Sequence, residues 1–90
     1  MLDRFKEYLV EKDYKSTTPS GNPSTVYDYA KRVQRVCNRE NISERKLAED
    51  ISLYVEKYDI NGQEAEYGKR SHNAVISALK RYEEFTKTLN

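Results

Sequence analysis

The chain has one cysteine, one histidine, two prolines, three glycines and no tryptophan. A lone cysteine, Cys37, excludes an internal disulfide framework, and with a single imidazole it is too little for an ordinary structural zinc site. Gly21, Gly62 and Gly68 stand far apart, so there is no glycine-rich loop to cradle a phosphate. No apolar run is long enough to span a bilayer. No secretory leader is visible, because Met1 leads straight into the charged, amphipathic Leu2-Asp3-Arg4-Phe5. These absences read as a cytoplasmic protein. An excess of either charge is missing too. The balance of 16 basic and 15 acidic residues leaves a net charge of +1, so any electrostatic argument must rest on where the charges lie.

What is present points to one small helical domain. Ninety residues allow a single modest core and not two. With 34% of residues charged and 37% hydrophobic, the composition lies at the polar end of the globular range. Eight tyrosines, two phenylalanines and clear apolar periodicity separate it from a disordered chain.

The periodicity predicts four helices, at about residues 2–13, 24–40, 44–58 and 69–89. Leu2, Phe5 and Leu9 form the first stripe, and Val26, Ala30, Val33 and Cys37 the second. Leu47, Ile51, Val55 and Tyr58 form the third, and Val75, Ala78, Leu79, Tyr82, Phe85 and Leu89 the fourth. Thr18-Pro19 and Asn22-Pro23 interrupt the helix pattern after the first segment, leaving Lys15 to Asn22 as a loop with room for a function. Asn22 or Ser24 is the expected cap of the second helix. Asn41-Ile42 breaks that helix and Ser43 caps the third. Asn61-Gly62 and Gly68 bound a second loop, from about Asp59 to Gly68. No segment alternates as a strand would, so the expected architecture is an all-α, compact four-helix bundle.

The catalytic inventory is thin. His72 is the sole imidazole, and Cys37 lies within an apolar stripe, where a thiol acts as a small hydrophobe. The carboxylates Glu49-Asp50, Glu64, Glu66 and Glu83-Glu84 have no metal-site spacing and read as solvated faces. No cofactor or metal is expected, and the chain reads as no enzyme. Tyr8, Tyr14, Tyr54, Tyr58 and Tyr82 sit on or beside apolar stripes, where the ring packs and the hydroxyl reaches water.

Two basic faces remain. On the second helix Asp28, Arg32, Arg35 and Arg39 fall opposite the apolar stripe, and Lys31, Arg32, Arg35 and Arg39 cluster with no acid between them. On the fourth, Lys69, Arg70, Lys80 and Arg81 are joined by Ser71, Asn73 and Ser77. Cations that displace counterions, mixed with short hydroxyl and amide groups that fix register, suit a phosphate backbone. The run Gly68-Lys69-Arg70-Ser71-His72-Asn73 is expected at a helix N-terminus, where free N–H groups favour an anion.

Taken in order, these segments resemble the N-terminal core-binding domain of tyrosine recombinases, the SAM-like domain of phage integrases. Phe5-Lys6-Glu7-Tyr8-Leu9 is similar to that family's Phe-x-x-Tyr-Leu first helix. Lys15-Ser16 followed by Ser24-Thr25-Val26-Tyr27-Asp28-Tyr29 resembles its entry to helix two, with Thr25 and Tyr29 four apart. Leu47, Asp50, Ile51 and Tyr54 resemble its third helix, and Ser71, Ile76, Leu79, Tyr82 and Phe85 its last. The likeness spans nearly all of the chain and departs from the family at Thr17 to Pro23 and at Asn61 to Gly68.

The resemblance implies a half-clamp on double-stranded DNA in integration or recombination, in a bacterial or phage cytoplasm at the nucleoid. Helices two and four would lie against the duplex. Lys31, Arg32, Arg35, Lys69, Arg70, Lys80 and Arg81 would neutralise phosphates, and Thr25, Tyr29, Ser71, Asn73 and Ser77 would hydrogen-bond backbone or base edges. Catalysis would belong to a separate C-terminal domain absent from this chain, reached through a linker that starts at Thr86 to Asn90. The isolated domain is expected to be a monomer. The alternative is a helical protein–protein interaction module without a nucleic-acid role, in which exposed tyrosines such as Tyr27 and Tyr67 anchor a partner.

Overall fold

The computed structural model describes residues 1–12, 14 and 25–89. The proline-bearing loop, the expected cap at Asn22 or Ser24, and the Ser16 and Ser24 positions of the resemblance lie outside the described residues. Within them the chain is all-helical, with six helices and no strand. These are α1 (Leu2–Glu11), α2 (Thr25–Glu40), α3 (Glu44–Glu49), α4 (Ile51–Tyr58), α5 (Ala65–Gly68) and α6 (Arg70–Lys87). No described helix is long and apolar enough to cross a membrane.

Each long helix forms where its apolar residues recur at three- and four-residue intervals, and each buries that stripe. Phe5 and Leu9 of α1 are fully buried, as are Val26, Ala30, Val33, Val36 and Cys37 of α2. The core side of α6 is Val75, Ile76, Ala78, Leu79, Tyr82 and Phe85. Helix α6 is the hub, touching all five other helices. Phe5 meets Tyr82 edge-on at 5.1 Å between ring centroids and lies 5.6 Å from Phe85. Such pairs add about 0.5–1.5 kcal/mol beyond area burial. The Cα radius of gyration is 12.6 Å, against about 12 Å expected for a single compact domain of this length.

The helix ends have local causes. Asn41 takes a left-handed conformation (φ 56°). The Ile42 N–H then donates to the Cys37 carbonyl at 2.9 Å, and the Asn41 N–H to Asn38 at 3.2 Å. That pair of bonds is a Schellman closure, with Asn filling the position glycine usually holds. Ser43 then caps α3, its hydroxyl accepting from the Lys46 N–H at 3.1 Å.

Three expectations change. The single third helix is divided at Asp50 (φ −113°, ψ 25°), whose carboxylate is held by Lys46 at 2.9 Å. Aspartate favours helix ends over interiors, and Leu47, Ile51 and Tyr58 remain buried on either side of the division. The expected loop from Asp59 to Gly68 contains the one-turn helix α5, too short to leave a periodic signal. Leu89 lies beyond the end of α6 and is 37% exposed, while Val36 and Ile76 join the core.

Gly68 has a steric reason. A Cβ there would stand 1.8 Å from the Tyr58 carbonyl oxygen, so only glycine lets α5 close against the end of α4.

Candidate nucleic-acid interface

The second helix carries its cations on two different flanks. One flank, shared with α1, is an open groove of about 610 Å³ lined by Leu2, Lys6, Tyr27, Lys31, Gln34, Arg35 and Asn38, among others. Lys31 and Arg35 are exposed there and make no ion pair among the described residues. The Lys6 ammonium lies 5.1 Å from the centre of the Tyr27 ring. At about 100° per residue, Thr25, Tyr29, Arg32 and Arg39 fall on the other flank of α2.

Aromatic rings tie that second flank to α6 at two points. At the N-terminal end of α2, the Tyr29 ring lies 5.8 Å from the Tyr14 ring, and Arg81 of α6 donates to the Tyr14 hydroxyl at 3.2 Å. Desolvation, and then the nearby Tyr14, push the Tyr29 hydroxyl above its ordinary pKa. At the C-terminal end, Arg39 of α2 stacks on Tyr67 with 4.2 Å between guanidinium and ring centre, and Arg70 approaches the same ring at 5.0 Å. Stacked guanidinium groups of this kind are held in place while keeping donors free for anions.

Most cations near this flank already hold an acid. Arg32 Nε lies 2.9 Å from Asp28 and its side chain is only 16% exposed. Arg81 pairs with Glu84 at 2.8 Å, Lys80 with Asp59 at 3.3 Å, Lys69 with Glu66 at 3.0 Å, and Arg39 with Glu64. Arg70 has no carboxylate partner among the described residues. The structure therefore divides the seven expected phosphate contacts into Lys31, Arg35 and Arg70, without such partners, and Arg32, Lys69, Lys80 and Arg81, each paired.

Lys69, Asn73, Ser77 and Lys80 line a hollow between α6 and the segment around Asp59 and Ile60. Asp59 sits with its carboxyl below the usual range, chiefly because it accepts from the Ile60 N–H at 2.8 Å. The ammonium of Lys80 reinforces this.

The expected helix N-terminus at Gly68 to Asn73 takes another form. Ser71, His72 and Asn73 all adopt left-handed backbone, with φ of 55°, 59° and 68°, and their side chains are exposed. Regular helix resumes only after them. Each such residue costs about 1–2 kcal/mol, less for Asn, which tolerates this region best. Phosphate binding by a regular N-terminal turn starting at Lys69 is thus not available here. What the segment offers is three exposed polar side chains on a left-handed turn.

The sequence reading missed Tyr67 as an organiser of the cations and left Arg39 out of the contact set. Arg39 had a signal, since it shares the basic face of α2. Tyr67 had none, because its role depends on α5 bringing it between two helices. Cys37 is fully buried, and desolvation pushes its thiol up to about 11, so it remains protonated at neutral pH. Tyr58 and Tyr82 are buried with raised hydroxyl pKa values, desolvation being the main cause. Tyr58 donates to Glu40 at 2.6 Å and Tyr82 to the Glu44 carbonyl at 2.9 Å. Both therefore act as packed anchors.

Set against family models, curated proteins and solved structures, the chain matches none of them.

Proposed function

We propose that the chain is a non-catalytic DNA-binding domain that grips the duplex backbone with the flank shared by α2 and α6. The observation that carries this reading is the pair of aromatic bridges between the two helices: Tyr29 of α2 and Arg81 of α6 meet through Tyr14, and the cations Arg39 of α2 and Arg70 of α6 share the Tyr67 ring. Guanidinium groups positioned by rings, as Arg39 and Arg70 are on Tyr67, are suited to phosphates more than to base edges. The resemblance to recombinase core-binding domains supports the same pair of helices, and on that basis a catalytic domain elsewhere in a parent recombinase is the natural partner. Binding by this domain alone is weak, with dissociation constants of about 10⁻⁴ to 10⁻⁶ M at physiological salt. Fluorescence anisotropy with a labelled duplex of generic sequence, at about 50 and about 200 mM salt, tests the reading. Binding that weakens steeply with salt is expected. No binding at the lower salt and protein near a millimolar overturns it.

A second reading rests on a different observation. Val10 (50% exposed) and Tyr27 (44%) border a hollow between α1 and α2, with Glu7 and Glu11 beside it. An aromatic and an aliphatic side chain standing together in solvent suit a protein partner. That reading gains if duplex binding is absent and Tyr27→Ala abolishes a protein contact.

A further inference from the structure

Two guanidinium groups converge on the Tyr67 ring, but they differ in their anions. Arg39 Nη2 donates to Glu64 Oε1, whereas Arg70 has no carboxylate partner among the described residues. Glu64 is held in place by its backbone. Its N–H donates to the Lys57 carbonyl at 2.7 Å, and its carbonyl accepts from the Gly68 N–H at 3.0 Å. The fold thus presents this carboxylate to Arg39. The pair still reaches solvent, with the Arg39 side chain 43% and the Glu64 side chain 27% exposed. A carboxylate uses the same forked guanidinium donors that a phosphate diester uses.

We propose that Glu64 is a built-in competitor for a DNA phosphate at Arg39. The inference rests on the DNA reading of this flank. Arg70, with no acid of its own among the described residues, makes the first contact. The phosphate then replaces the Glu64 carboxylate on Arg39 beside the same ring. While Glu64 remains, its charge offsets the neutralisation that Arg39 would give, and one fewer counterion is released. The competitor therefore weakens general backbone binding and flattens its salt dependence.

The test compares the wild-type domain, Glu64→Gln, Arg39→Ala and the double variant by duplex anisotropy across a salt series, with thermal melting as a check on folding. Glu64→Gln keeps the shape and hydrogen-bonding reach of the side chain and removes its charge. It is expected to bind roughly threefold or more tightly at low salt, with a log–log salt slope steeper by about 0.9, the value of one added phosphate contact. In the Arg39→Ala background the same change should lose most of its effect. Equal affinity and slope for Glu64→Gln and wild type would overturn the proposal. So would a gain that persists in full without Arg39, because that reports only the loss of a negative charge. If no variant binds duplex at low salt, the DNA reading falls and this inference with it. If wild type binds and the cycle shows no coupling, only the inference falls.

Discussion

The two flanks of α2 are built from similar residues and have different electrostatic fates. On the α1 side, Lys31 and Arg35 project into an open groove with no ion-pair partner among the described residues. On the α6 side, Arg32, Arg39 and Arg81 are each set against an acid, and Arg39 and Arg81 also against tyrosines. A cation counted in a sequence is therefore not a cation available to a ligand. The difference separates two properties that a basic face is often assumed to combine. The paired flank has fixed geometry and a reduced field; the α1 flank has a field and little geometry.

Three experiments would break or sharpen that comparison. The largest effect is expected from Phe5→Ala, because Phe5 is fully buried against Tyr82 and Phe85 and links α1 to the α6 hub. A loss of about 3–5 kcal/mol is expected by urea denaturation, with both flanks lost in one transition. Two separate transitions would show that the flanks are independent units. A smaller, more selective effect is expected from Lys31→Ala with Arg35→Ala. Stability should stay within about 0.5 kcal/mol of wild type. With the backbone on the α2–α6 flank as proposed, the salt slope should change by less than one phosphate contact, about 0.9; a fall of nearly two units would move the contact to the α1 flank. Arg32→Ala should change the slope by less than one such unit, since Asp28 already offsets that charge. A large slope change from the free pair with none from Arg32 would put the DNA on the α1 flank and overturn the proposed grip.

The smallest effect concerns acid. Burial acts to raise the Glu40 carboxyl pKa, but hydrogen bonds from Tyr58 and Lys57 and the Lys57 charge outweigh it, so the pKa lies below its ordinary 4.5. A depressed folded-state pKa contributes stability that is present above the unfolded value and is lost as pH falls through the folded one. Wild type should thus lose a modest increment of stability as the pH drops below about 4.5. Glu40→Gln should flatten that part of the profile, read by thermal melting from neutral to acid pH. An unchanged profile would remove Glu40 as a contributor to the paired side.

Much of the fold was legible because helical periodicity is a local property. The spacing of Phe5 and Leu9, or of Val75, Leu79 and Tyr82, forces those side chains onto one face whatever the rest of the chain does. Capping was legible for the same reason, since Ser43 needs only the N–H three residues on. The break at Asp50 and the turn at α5 were less visible because each involves a single turn, where packing against α6 outweighs propensity. The left-handed run Ser71-His72-Asn73 departed from the local reading: Asn and His tolerate positive φ better than most side chains, but a run of three such residues has no sequence signature. In the candidate site, the residue types were legible but their pairings were not.

By itself, then, the sequence determined the helical class, most of the buried faces, the inert setting of Cys37 and the presence of basic residues on two helices. These follow from backbone periodicity and from the preference of apolar groups for burial, which act over one or two turns. Only the tertiary structure decided which charges remain free. Arg39 meets Glu64 and Lys80 meets Asp59 across separate elements, and Arg81 reaches Tyr14 from 67 residues away. Coulomb and hydrogen-bond interactions depend on distances of a few ångströms in space, and those distances exist only after α6 has packed against its neighbours.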